Sequence, residues 1–311
     1  MLPLEASEVV RDLELKTIKR KDCTTHIFYE RGTSATDRKR ELREKWTPVR
    51  PLGNGAFGSV WLEQCDNMVR RDVPNVRAVK KIKISPSIDF TRELEAIAKF
   101  SHNRYLPCFV RCFGWFRIKN YIFITMEHIQ HGDLGQHLQF QRILPEKEAN
   151  IIIRQLVEGL GHMHTNRFVH RDLKPANILI VEKGPNWLVQ ISDFGISRKL
   201  DEGRSIGTAQ QGTFGYIAPE VMGFHEERGF PFAADMWSLG AVLFRMLSGH
   251  AFLIYGHEHR EFVNGDRLIP VNELKEVGVS DEGLEFLQKL LLVNPRDRLT
   301  VDEAHKHDWM K

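Results

Sequence analysis

Residues 234–247 (ADMWSLGAVLFRML) are apolar on nearly every face of a helix. Such a helix has no side to offer water, so other elements must enclose it, and it is expected to run through the centre of a sizeable body. With 311 residues the chain has length enough for one large domain or two lobes. Ahead of Met126 the pattern differs. Short β-branched and aromatic runs bounded by turn residues recur at 49–52, 58–62, 76–82, 112–116 and 121–126. One helical pattern interrupts them, with Phe90, Leu94, Ile97 and Ala98 on a common face. Beyond Met126 helices dominate, at 149–163, 234–247 and 284–293. Strands first and helices after predict an α+β chain, not a doubly wound sheet.

Residues 1–45 are polar and charged, with a basic run at Arg38-Lys39-Arg40 and Arg43 that reads as a solvated face. Residues 25–29 suit a short strand, so this segment is either a flexible arm or an appendage packed on the first lobe. Glu5, Glu8, Asp12 and Glu14 argue against a secretory signal or an acid-poor transit peptide. A formal net charge of +3 is too small to point to nucleic acid or a membrane surface. Cys23, Cys65, Cys108 and Cys112 are too few and scattered for a disulfide framework, and no second pair completes a zinc site around the last two. Reduced thiols imply a cytoplasmic or nuclear location. His257 and His259 flank Glu258, and the expectation there is a solvated loop.

Two acids and an amide carry the chemistry. His170-Arg171-Asp172-Leu173-Lys174-Pro175-Ala176-Asn177 is followed by Asp193-Phe194-Gly195. Asp172 can accept a hydroxyl proton, while Asn177 and Asp193 offer hard oxygens to Mg²⁺ or Mn²⁺. Upstream, Gly53-Asn54-Gly55-Ala56-Phe57-Gly58-Ser59-Val60 lets backbone amides approach phosphates with no Cβ in the way. A strand follows this loop instead of a helix, which favours a phosphate-covering hairpin over a dinucleotide-binding unit.

Together these motifs resemble the eukaryotic protein kinases, specifically the serine/threonine kinases, over roughly residues 47–309. The resemblance implies a bilobal fold: a small β-rich N-lobe with one main helix (46–127) and a larger, mostly helical C-lobe (128–309), after an N-terminal extension (1–45). It implies Mg·ATP as cofactor and protein hydroxyls as acceptors, with no nucleic acid or membrane partner. Asp172 would be the catalytic base, Lys174 the neutraliser of γ-phosphate charge, and Asn177 and Asp193 the metal ligands. Lys80, two residues after Ala78, would hold the α- and β-phosphates, and Lys81 would face solvent. Glu93 is the preferred partner for Lys80, with Glu95 the alternative. The nucleotide would be lined by Leu52, the glycine-rich loop and Val60, by Ala78 and Met126, by the backbones of Glu127 and Ile129, and by Leu179. Asp133 would either bind a ribose hydroxyl or cap the following helix.

Downstream, residues 212–220 (GTFGYIAPE) resemble the family's peptide-docking segment, with Thr213 near Asp172 and Lys174. Glu220 needs a cationic partner if buried, and Arg298 stands where the family supplies one. Asp235 would hold the catalytic-loop backbone. Arg171 is a ready partner for a phosphate placed by an upstream kinase on Thr208 or, second, Ser205. Ala176 and Arg245 replace acids common in arginine-directed kinases, so weak preference for basic residues ahead of the phosphoacceptor is expected. Retention of Lys80, Asp172 and Asp193 argues against a catalytically silent scaffold, and the docking segment argues against a small-molecule phosphotransferase.

Overall fold

The computed structural model describes residues 8–30, 40–55, 58–71, 73–84, 90–193, 198–199, 214–224 and 229–311. They divide into two compact units, Met1–Asn103 with Val110–His128, and Arg104–Phe109 with Ile129–Lys311.

The first unit opens with a short helix, α1 (Glu8–Asp12), and the strands β1 (Thr17–Lys19), β2 (Thr24–Glu30), β3 (Arg40–Gly55), β4 (Gly58–Cys65) and β5 (Val76–Lys83). Helix α2 (Phe90–Phe100) follows, then β6 (Cys112–Ile118) and β7 (Tyr121–Glu127). All seven strands form one antiparallel sheet in the order β1-β2-β3-β4-β5-β7-β6. The segment leading into β1 also bonds the opposite edge. Leu15 N–H donates to Trp115 O at 2.7 Å and Trp115 N–H to Leu13 O at 2.9 Å. The sheet is thereby closed into a ring.

Strand β3 begins well before the short run that residues 49–52 suggest. Its first half pairs with β2 and its second with β4, and the register shifts at Pro48/Arg50 and Pro51/Gly53. Proline has no N–H for the ladder, so each shift falls where pairing must break. The expected strand at 25–29 is β2, part of the ring and no loose arm.

Inside the ring lies a polar network. Arg77 and Glu63 pair at 2.7 Å with both side chains buried, and Arg70 reaches Glu44 at 2.8 Å. Arg77 also stacks over Trp46 at 4.0 Å. His26, with no exposed surface, sits beside them. The Thr17 hydroxyl gives its proton to Leu15 O, so His26 Nδ1 carries the proton in its 2.8 Å bond to Thr17 Oγ1. Nε2 is then a bare acceptor with no hydrogen-bond partner among the described residues. Burial first, then the charges of Arg77, Arg70 and Lys19, pushes the imidazole down from 6.5 to about 2. Above pH 6.5 both folded and unfolded states hold it neutral. Below that, the unfolded chain takes a proton that the folded chain refuses, so stability falls with acid by about 1.4 kcal/mol per pH unit. Urea unfolding at pH 7 and pH 5 should show a drop smaller by about 2 kcal/mol in His26→Asn, whose amide keeps the donor at the Nδ1 position. Equal drops in both proteins would refute this.

The second unit contains α3 (Leu134–Phe140), α4 (Glu146–Thr165), β8 (Phe168–Val169), β9 (Ile178–Glu182), β10 (Leu188–Ile191), β11 (Arg198–Lys199), α5 (Pro219–Met222), α6 (Pro231–Ser248), α7 (Gly256–Asn264), α8 (Val271–Glu276), α9 (Asp281–Leu290) and α10 (Val301–Lys306). Strand β9 pairs with β10 and β8 with β11. Helix α6 is the enclosed helix: from Asp235 to Ser248 every residue but Arg245 is buried. No described helix, α6 included, is long and apolar enough to cross a membrane.

The expectation of a solvated loop around His257–His259 fails. Glu258 caps the start of α7 by accepting the Ile254 and Tyr255 amides at 2.7 and 3.0 Å. His259 is wholly buried, while Phe252 and Phe262 pack on Trp237 at 6.1 and 5.9 Å between ring centroids. Aromatic packing from distant positions holds this segment, which its own charge pattern does not reveal.

Candidate active site

Each unit carries its own share of the candidate residues. In the first, opposite residues of antiparallel strands point to one face, so the pairs Val60–Lys80, Lys80–Ile124 and Leu62–Ala78–Met126 fix where the side chains lie. Lys80, on the face covered by α2, reaches Glu93 at 3.1 Å, and both are buried. Glu95 makes no ion pair among the described residues. Helix periodicity alone left both acids open, and the position of Lys80 decides between them. Lys81 points to the opposite face, where its ammonium stacks over the Tyr121 ring at 4.2 Å in place of full solvation.

At the glycine-rich hairpin, a Cβ on Gly58 (φ +148°) would lie 1.8 Å from Lys81 O. Only glycine fits there, which makes its conformational freedom a requirement. Leu52 is half-buried and Gly53 exposed on β3. Asn54 and Gly55 complete that strand as backbone, and Ala56 and Phe57 fall outside the described residues. Glu127 N–H is taken by Arg111 O at 2.9 Å. Ile129 opens the second unit.

In the second unit, Asp133 bridges to Leu179, and its Oδ1 accepts the Gln136 N–H at 2.8 Å as the N-cap of α3. Burial outweighs that bond and raises its pKa. The loop at 170–177 brings two of the predicted groups onto the carboxylate of a third. Lys174 Nζ lies 2.6 Å from Asp172 Oδ2, and Asn177 Nδ2 donates to the same oxygen at 3.2 Å and to Asp172 O at 2.7 Å. Asn177 ends where β9 begins, and Asp193 follows the end of β10. Ile178 faces Ile191 across that ribbon, and Ser192 N–H donates to Asn177 O at 2.8 Å. Asn177 and Asp193 therefore leave one end of one hairpin.

Arg171 (φ +69°) and Asp193 (φ +62°) occupy left-handed backbone that non-glycine residues seldom adopt. Such strain persists only when surrounding bonds over-determine it. Here Asp235, buried in α6, accepts the His170 and Arg171 amides at 2.9 and 2.8 Å and His164 Nε2 at 2.9 Å. Burial would raise its pKa, but the hydrogen bonds from His164 and from the Arg171 amide outweigh it and hold the carboxyl low. His170 accepts the Asp172 N–H on Nδ1 at 3.3 Å and donates from Nε2 to Ser192 O at 3.2 Å. That places its proton on Nε2 and ties Asp172 to the strand that leads into Asp193. The roles of His164 and of the His170 ring escaped the sequence, because no local period marks a histidine in the last turn of α4.

Glu220 is buried against Arg298 through two bonds of 2.8 and 3.1 Å, the partner expected for it. Thr213, Thr208 and Ser205 lie outside the described residues. A separate trio, Cys108, Glu158 and His162, brings ligand-type atoms within 4.8 Å of one another. Burial pushes the Cys108 thiol up to about 12, and Cys112 is not one of the trio.

A curated relative from Caenorhabditis elegans, calcium/calmodulin-dependent protein kinase type 1, is 28% identical across 91% of this chain and 79% of its own length. Serine/threonine-protein kinase cds1 of Schizosaccharomyces pombe is 30% identical over 84% of this chain, which spans only 57% of that protein. A calcium/calmodulin-dependent protein kinase of Metarhizium anisopliae is 30% identical over 87% of the chain and 68% of its own length. The protein kinase domain family matches residues 46–310. With a sheet-rich N-terminal unit, a helical C-terminal unit and this match over most of its length, the chain belongs to the protein kinase family.

Proposed function

We propose that this serine/threonine protein kinase moves the γ-phosphoryl group of ATP to a protein hydroxyl with Asp172 as general base and Lys174 as the cation meeting the transferred group. The observation that carries this reading is the shared oxygen: Lys174 and Asn177 both donate to Asp172 Oδ2. A carboxylate so held is aimed at one position, as a general base must be. Lys80, oriented by Glu93, binds the α- and β-phosphates, and the Gly58 hairpin brings backbone amides to them.

Asn177 and Asp193 suit a hard divalent cation, Mg²⁺ or Mn²⁺. With Asn177 Nδ2 committed to Asp172, its Oδ1 accepts no hydrogen bond among the described residues and is the remaining ligand atom. Bound there, the cation supplies neutralisation of phosphate charge. Catalysis on this reading is positioning and charge stabilisation, with little covalent work for the protein.

Acceptor choice follows from nearby charge. Ala176 offers no carboxylate, Asp133 is engaged as a helix cap, and Arg245 donates to Leu138 O and Arg142 O at 2.9 and 3.0 Å. An arginine ahead of the phosphoacceptor thus meets little negative charge. Thr208, then Ser205, remain the proposed targets of an upstream kinase, with Arg171 as the cation receiving the phosphate. Radiolabelled ATP with a generic protein panel should put label on serine and threonine, and an oriented peptide library should show no leading selection for upstream arginine. Label chiefly on tyrosine would overturn the acceptor assignment, and dominant arginine selection the charge argument.

A further inference from the structure

We infer that residues 8–15 are a built-in brace that holds α2, and with it Glu93, in place against Lys80. The inference rests on the reading of Lys80 and Glu93 as phosphate-binding groups. Its ground is a row of residues across the sheet. Val60, Lys80, Ile124 and Trp115 stand opposite one another on successive strands, so they share a face, the face that α2 covers through Glu93. Trp115 ends that row, and the N-terminal segment takes it up. Its indole N–H donates to Val10 O at 2.8 Å, and its backbone bonds Leu13 and Leu15 on both sides. Val10 has no exposed surface and Trp115 is 1% exposed. Helix α1 packs against α2 itself.

Strand β6 is shaped to receive this segment. Gly114 has φ +129°, and a Cβ there would lie 2.7 Å from Leu13 O and 2.8 Å from the Leu15 side chain. Any larger residue would be strained and would also collide with the segment. Thr125 then satisfies the Gly114 carbonyl at 2.8 Å, where the β6–β7 register shifts. A loosely attached tail would not need a glycine cut to its width. The brace therefore contacts the helix that carries Glu93 and ends the row that contains Lys80.

A helix free to swing outward separates Glu93 from Lys80, and phosphate alignment goes with it. Removing residues 1–15 leaves β1 and β2 in the chain but opens the ring. Its expected effect is a loss of kcat/KM for ATP of roughly 5- to 150-fold, the range of coupling between linked sites, with KM for the acceptor peptide unchanged. The deciding measurement is a double-mutant cycle of this truncation with Glu93→Gln. If the brace acts through Glu93, the combined protein is no slower than Glu93→Gln alone, and a synthetic peptide of residues 1–15 restores the truncated protein but not the combined one. Full activity in the truncated protein, or losses that multiply in the combined one, would overturn the brace. Full activity in Glu93→Gln would instead overturn the phosphate-site reading, and the brace with it. Should the truncated protein fail to fold, Trp115→Phe removes the indole donor together with some buried ring volume and is judged by the same cycle, with a loss of a few-fold expected.

Discussion

Replacing Asp172 by asparagine is expected to lower kcat by about 10²- to 10⁴-fold, the contribution of a positioned general base. Asparagine keeps the shape and still presents an oxygen to Lys174, whose ammonium lies 2.6 Å from Asp172 Oδ2. The fold should survive, because the loop backbone is held by Asp235 and not by Asp172. Asp172 is assigned no contact with the nucleotide, so KM for ATP should change little. The expected result is a transition-state loss, with kcat and kcat/KM falling together. Steady-state kinetics beside a thermal shift with ATP would check it. A fall in kcat of less than ten-fold would remove Asp172 from the role of base. A large rise in KM for ATP would mean that the carboxylate serves nucleotide binding instead.

The second large effect concerns stability. Arg298 makes two bonds to Glu220 and three more to the carbonyls of Leu292, Ala233 and Val293. Its guanidinium also lies 5.2 Å from the Trp237 ring centroid. Arg298→Met strands a buried carboxylate and should cost about 3–5 kcal/mol, a large share of the ~5–15 kcal/mol that holds a typical domain. Combining it with Glu220→Met should recover part of the loss, since removing both charges leaves none unpaired. The carbonyls left without a donor keep the recovery incomplete. Urea unfolding of the three proteins measures this, and a single-variant loss below about 1 kcal/mol would mean that the pair behaves like an exposed one.

Sequence reading reaches furthest where chemistry fixes residue type and spacing. Asp172, Lys174 and Asn177, set within one short motif, meet on one oxygen, and of the two helix acids the preferred Glu93 meets Lys80. Helix α6 was legible for a different reason: an all-round apolar helix has only one environment open to it. The start of β3 was not legible. Arg40 and Arg43 are exposed, as the basic run suggests, but nothing in that polar stretch marks Glu44, which is fully buried. What pairs it is Arg70, 26 residues away, and no local period reports a partner at that distance. The same limit hid His259 and the attachment of residues 13–15 to β6. Long-range closure is what a single sequence conceals best.

Ring closure also sets an order of assembly. The Val10 carbonyl and the Trp115 indole lie 105 positions apart. At about 5–20 residues per second of synthesis, roughly 5–20 s separate their emergence from the ribosome. In that interval β2 and β3 can already pair, but the sheet carries an open edge, the kind that recruits foreign strands. Residues 10–15 must wait for one of the last strands of their unit. Pairing across such a span forms slowly, so the final seam of the ring marks the moment at which the first unit is complete.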